Sequence, residues 1–106
     1  MRVFAWTAVV AAMISPAAAQ DLQSMQVATA LGSVIGSEEL CELSYDQEAI
    51  AAYIESKVSA DDMSFPSTLQ MMVQAQQYQL TDMSESAKTA HCTQIARAAQ
   101  SFNFIE

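Results

Sequence analysis

His91 and Cys92 stand side by side, and Cys41 is the only other cysteine in the chain. A cysteine beside a histidine suggests two chemistries, a thiolate nucleophile or a zinc site. Neighbouring residues of a helix point about 100° apart, so adjacency alone does not converge the two side chains on one atom. His91 is the only histidine, so no second imidazole completes a zinc set. No Cys-x-x-Cys occurs, which removes the usual geometry of dithiol exchange. In an oxidising compartment two cysteines read instead as one structural disulfide. A Cys41–Cys92 bridge would close a loop of 51 positions, most of the chain left after signal cleavage, and contribute about 4 kcal/mol through loop-closure entropy.

The other chemically suggestive residues are Asp61-Asp62. A calcium loop needs several spaced oxygen donors and a glycine, which the segment Ser59 to Pro66 lacks, so it reads as a solvated acidic loop. There is no Gly-rich phosphate loop, no His-Glu-x-x-His and no Gly-x-Ser-x-Gly elbow. With so few bases and nucleophiles, the sequence points away from catalysis and implies no metal or cofactor.

The amino terminus has the three parts of an export signal. Met1-Arg2 is a short positive start, Val3 to Ile14 an uncharged, mostly apolar run, and Ser15-Pro16 a break before the small residues Ala17-Ala18-Ala19. Residues 1–19 are therefore expected to be a signal peptide, cleaved after Ala19 or Gln20, and 20–106 a single domain that is periplasmic or secreted. The apolar run is shorter than the ~20 residues of a membrane span, so no stable membrane insertion is expected after cleavage. About 87 of the 106 residues remain. That is one domain, small enough for a hydrophobic core alone to leave little margin. The chain carries 12 acidic and 4 basic residues, a net charge of −8. Nucleic acid and anionic membranes would repel it.

Only two glycines are present, against an all-β fold rich in tight turns. Apolar positions recur with helical period. Leu22 to Ile35 reads as a first helix with Val27, Leu31, Val34 and Ile35 on one face. Ala28, Gly32 and Gly36 line a small-residue stripe that either admits a close neighbour or marks a weak helix ending at Gly36; the ending is the preferred reading. Ser37 to Cys41 reads as a short turn capped by Ser37. Ser44 and Gln47 fit a capping box, opening a helix that runs to about Val58. Pro66 opens a helix through Leu80, with Leu69, Met72, Val73 and Leu80 on one stripe and Met71, Ala75 and Tyr78 on another. Ser84 or Asp82 caps a last helix through Phe102, its buried seam formed by Cys92, Ile95, Ala99 and Phe102. The fold class that follows is all-α: a small four-helix bundle with one extra helical turn, closed by Cys41–Cys92.

Ser37-Glu38-Glu39-Leu40-Cys41, Tyr45 to Ile50, Ala90-His91-Cys92-Thr93-Gln94 and Phe102-Asn103-Phe104-Ile105 together resemble a family of short exported proteins of rhizobium-like alphaproteobacteria. The resemblance spans most of residues 31–105 and implies no particular activity. Some members carry a name linking them to the signal recognition particle, whose RNA-binding domain is cytosolic and basic, unlike this acidic chain. In layout, and at Cys92-Thr93-Gln94, the chain is also similar to small periplasmic acid-stress chaperones. Their lysine-rich ends have no counterpart here.

The expectation is a non-enzymatic envelope protein that binds another protein through an apolar Met/Gln/aromatic surface. The residues expected to carry it are Leu69, Met71, Met72, Tyr78, Phe102, Phe104 and Ile105. The alternative is an acid-stress chaperone that exposes apolar surface when its carboxylates are protonated.

Overall fold

The computed structural model describes residues 16–106, with side chains from Leu22 onward. The signal-peptide reading of Met1 to Ser15 lies outside the described residues. Those described form four helices and no strand: α1 (Pro16–Gly36), α2 (Gln47–Lys57), α3 (Phe65–Gln79) and α4 (Glu85–Ser101). Each expected helix is present, with ends that differ by a few residues.

Helix α1 is the hub. It packs lengthwise on α3 and also touches α2 and α4. It contributes Val27, Ala28, Leu31 and Val34 to the core, which Tyr45, Phe65, Ile95, Ala99 and Phe104 complete. The small-residue stripe does both things the sequence allowed. The helix ends at Gly36, and the same stripe is the seam with α3. A Cβ on Gly32 would lie 2.5 Å from Met72 Cβ, and one on Gly36 2.8 Å from Gln76 Cβ. The pairing advances four residues on both helices, so α1 and α3 run parallel.

Local chemistry explains the helix ends, and two expected caps are corrected. Asp46, not Ser44, caps α2: its carboxylate accepts the Glu48 N–H at 3.0 Å. Gln47 does not reach back to the cap; its amide donates to the Tyr45 carbonyl at 3.4 Å. Ser37 does not cap its turn either. Its hydroxyl points back to the Ser33 carbonyl at 2.7 Å. Ser84 does cap α4, accepting the Ala87 N–H at 3.2 Å, and Pro66 sits in the first turn of α3, where a missing N–H costs nothing.

Two residues take left-handed backbone conformations, Glu42 (φ 55°) and Asn103 (φ 64°). Both close Schellman motifs. Leu43 N–H donates to the Glu38 carbonyl and Glu42 N–H to that of Glu39; Phe104 N–H donates to Ala99 and Asn103 N–H to Gln100. The second motif turns the chain back at the end of α4 and drives Phe104 into the core. The Asp46 N–H then donates to the Phe104 carbonyl at 2.8 Å, locking the tail against the start of α2.

Candidate functional site

Chemically capable side chains converge most closely where the end of α1 meets α4. Cys41 and Cys92 are joined, with Cα atoms 5.3 Å apart and 51 positions between them in sequence. Beside the bridge, Ser37 Oγ lies 2.8 Å from His91 Nε2. A serine on a histidine suggests an activated nucleophile, but proton bookkeeping excludes that role. The hydroxyl has one hydrogen, and the Ser33 carbonyl 2.7 Å away can only accept. Both contacts are satisfied when Ser37 donates to Ser33 and His91 Nε2–H donates to Ser37 Oγ. The imidazole therefore donates to the hydroxyl rather than drawing its proton. Ser37 is also 0% exposed, closed to any substrate. The pair fastens α4 to α1 beside the disulfide.

Tyr45 strengthens the same junction. Its phenol donates to the Val34 carbonyl at 2.8 Å, and its backbone N–H donates to a Glu38 carboxylate oxygen at 2.7 Å. Burial, together with the Glu38 charge, pushes the phenol pKa up to about 12. The Tyr45 ring packs on Phe104 at 5.9 Å between centroids, Tyr53 meets Phe102 at 4.9 Å, and Tyr53 meets Phe104 edge-on at 5.9 Å. This aromatic cluster joins α2 to the tail.

A second polar group surrounds the loop before α3. Lys57, Ser24, Ser59, Asp61, Asp62 and Ser64 line an open depression of about 370 Å³. Hydroxyls of Ser24 and Ser64 hold the Asp62 carboxyl below its ordinary range. One Asp62 oxygen accepts both the Ser64 N–H (3.2 Å) and the Ser64 hydroxyl (2.8 Å). Asp62 therefore orders the entry to α3. Among the described residues, no three His, Cys, Asp or Glu side chains gather as a metal site.

The expected partner-binding residues separate into two groups. Phe104 is 1% exposed, and Leu69, Met72, Phe102 and Ile105 are partly buried against the core. Packing occupies these five. Met71 and Tyr78 remain open to solvent, 60% and 80% exposed. On the neighbouring helix Leu22 and Met25 are 64% and 47% exposed, and Met25 meets Phe65 and Thr68 of α3 across a cleft of about 230 Å³ that Asp62 also lines. Sequence reasoning missed Leu22 and Met25. The available signal was the distribution of charge. From Leu22 to Gly36, and from Met63 to Thr81, there is no Asp, Glu, Lys or Arg. Those two stretches contain most of α1 and all of α3, the pair that packs lengthwise. Opposite the core, helical spacing puts Met25 and Thr29 of α1 on the same side of the helix pair as Met71, Ala75 and Tyr78 of α3, with Asp62 beside Met25 at one end and Glu39 beside Gln77 and Thr81 at the other.

The chain matches no protein-family model, no curated protein and no solved structure. Among the described residues, no helix is long and apolar enough to cross a membrane.

Proposed function

We propose that this is an exported, non-enzymatic envelope protein that works by docking another protein on the outer, Met- and Tyr-bearing α1–α3 face. The observation that carries the reading is the exposure of Met25, Met71 and Tyr78 on two helical stretches, Leu22 to Gly36 and Met63 to Thr81, whose own residues carry no charge, in a chain of net charge −8. Interface centres are depleted of charge and enriched in Met and Tyr. The rigid seam at Gly32 and Gly36 presets the two helices, so the face needs little ordering on contact. Export agrees with the leader pattern and with the disulfide. The test is retention from envelope extract on immobilised wild-type protein and on the double variant Met71→Glu, Tyr78→Glu. A protein held by the wild type and lost by the variant is expected. Equal retention by both sinks the reading.

A second reading, an acid-opened chaperone, has its own support. Three carboxylates, Glu38, Asp46 and Asp62, accept hydrogen bonds that fix turns or helix starts. The lowered pKa of Asp62 sets the sign. Its contribution is present above the ordinary carboxylate value of about 3.9 and is lost as pH falls through the lowered folded value. Loosened turns would uncover apolar surface while the bridge limits expansion. Suppression of client aggregation near about pH 3 is the expected result; unchanged turbidity rules the chaperone out.

A further inference from the structure

We infer that the Cys41–Cys92 bridge is an exchange site for dithiols, and that breaking it releases the first half of α4 while the rest of the fold holds.

Little else fastens that half. From Thr81 to Cys92 no residue is buried, and only Met83, Lys88, His91 and Cys92 are partly covered. Burial in α4 begins at Ile95 and continues at Ala99, and the tail adds Phe104. Among the described residues, the hydrogen bonds of this stretch stay local: Thr81 to Tyr78, Ala87 and Lys88 to Ser84, Thr89 to Glu85. Two links reach across the fold, the bridge to Cys41 and the contact of His91 Nε2 with Ser37 Oγ. They sit on adjacent residues, so the stretch between buried Leu80 and buried Ile95 is tied to the body at one place. About two helical turns without packing are marginal in water, and one hydrogen bond adds little net stability. With the bridge cut, residues 81–93 therefore open locally, as segments with few buried apolar contacts do. Ile95, Ala99 and Phe104 keep the second half of α4 in the core.

Cys41 and Cys92 are both only partly buried, so the bridge lies at the edge of the core rather than inside it. A dithiol supplies the electrons. One of its thiolates attacks a bridge sulfur and forms a mixed disulfide as the S–S bond breaks, and the displaced cysteine thiolate takes up a proton. The second thiolate of the reagent then displaces the other cysteine, which is protonated in turn. Two electrons and two protons pass to the protein: Cys41 and Cys92 become thiols, and the dithiol becomes a disulfide. His91 then leaves Ser37 with the opened turns.

The test compares oxidised protein, recovered from the envelope fraction of its expression host, with the same protein in dithiothreitol at neutral pH. Trypsin reads the two halves of α4 separately, at Lys88 in the released half and at Arg97 in the retained half. Cleavage under native conditions tracks the population of the open form. Reduction should speed initial cleavage after Lys88 at least about tenfold more than cleavage after Arg97. Amide hydrogen exchange should rise over residues 81–93, while the amides of Val27 to Val34 stay among the slowest in the molecule. Helical circular dichroism should fall by the contribution of the opened turns alone. Cys41→Ser with Cys92→Ser should behave as the reduced protein with or without the reagent. Equal acceleration at Lys88 and Arg97, or loss of most of the helical signal, means that the bridge holds the whole fold and overturns the inference. A Lys88 rate that reduction leaves unchanged overturns it as well, as does a bridge that dithiothreitol opens only in denatured protein.

Discussion

Gly32→Ala places one methyl group on the α1–α3 seam and tests whether that seam is as tight as the geometry requires. The added carbon would lie 2.5 Å from Met72 Cβ and 3.2 Å from the Met72 carbonyl carbon. Non-bonded carbons settle at about 3.5–4.0 Å, so the helices must part by roughly 1 Å. Neither obstructing atom is the free end of a side chain, and no rotamer change relieves the contact. Overpacking of this kind costs about 1–3 kcal/mol, and backbone crowding puts this case in the upper half. Alanine returns about 1 kcal/mol through its better helix propensity. The net is a loss of about 1–2 kcal/mol, the opposite sign to Gly→Ala in an open helix. For a domain of this size each kcal/mol is worth about 4–8 °C, so the melting temperature should fall by about 4–16 °C. Thermal unfolding by circular dichroism, with the disulfide intact, measures it. An unchanged or raised melting temperature would refute the close parallel packing of α1 on α3. The double variant with Gly36→Ala should lose less than the sum of the two single losses, because helices already parted by one methyl group make room for the next.

Three other perturbations probe the junction and the caps. Burial keeps the Tyr45 phenol protonated in the folded protein up to about 12, so stability should hold below the unfolded phenol pKa of about 10 and fall as pH rises from there toward about 12; denaturant midpoints should fall across that window, and Tyr45→Phe should flatten the fall. Replacing Cys41 and Cys92 together by alanine removes about 4 kcal/mol of loop-closure stabilisation, so the urea midpoint should drop steeply, whereas an unchanged midpoint would mean that the bridge is dispensable. Asp46→Ala should cost about 1 kcal/mol through the lost α2 cap, and Ser44→Ala less than about 0.5 kcal/mol; chemical denaturation of the two variants separates them, and the reverse order would return the cap to Ser44.

Helical periodicity made most of the fold legible. Val27, Leu31 and Val34 share one face because apolar positions three and four apart on a helix lie together, and they form the floor of the core. The bridge was legible because two cysteines leave one pairing. The caps were less legible. Ser44, Asp46 and Ser37 are all good capping types, and tertiary contacts chose among them. Ser37 donates to the Ser33 carbonyl and accepts from His91, 54 positions further along the chain, a partner no local pattern indicates. The expected partner-binding set divides into packed and exposed residues for a related reason. Phe102, Phe104 and Ile105 read as an apolar tail that folds back on the bundle or else stays open to a partner, and the left-handed turn at Asn103 folds it back. Leu69 and Met72 lie one turn from the exposed Met71, and burial of helix residues depends on which neighbour arrives.

The lack of charge on α3 is not a by-product of its burial, and the other helices of the same molecule supply the comparison. Helices α2 and α4 also turn one side inward, and their outward sides carry what surface helices ordinarily carry: Glu48, Glu55 and Lys57 on α2, Glu85 and Arg97 on α4, all exposed. Helix α3 exposes Gln70, Met71, Gln74, Ala75, Gln77 and Tyr78 along its outer side, with no charged residue among them. Burying its inner side requires nothing of these positions. A helix selected only for packing could carry glutamate or lysine at Met71, Gln74 or Tyr78 at little cost, since exposed substitutions away from special features change stability by about 0.5 kcal/mol or less. Charge at these positions is therefore expected to leave folding intact and abolish association, which is the separation between a structural face and an interface.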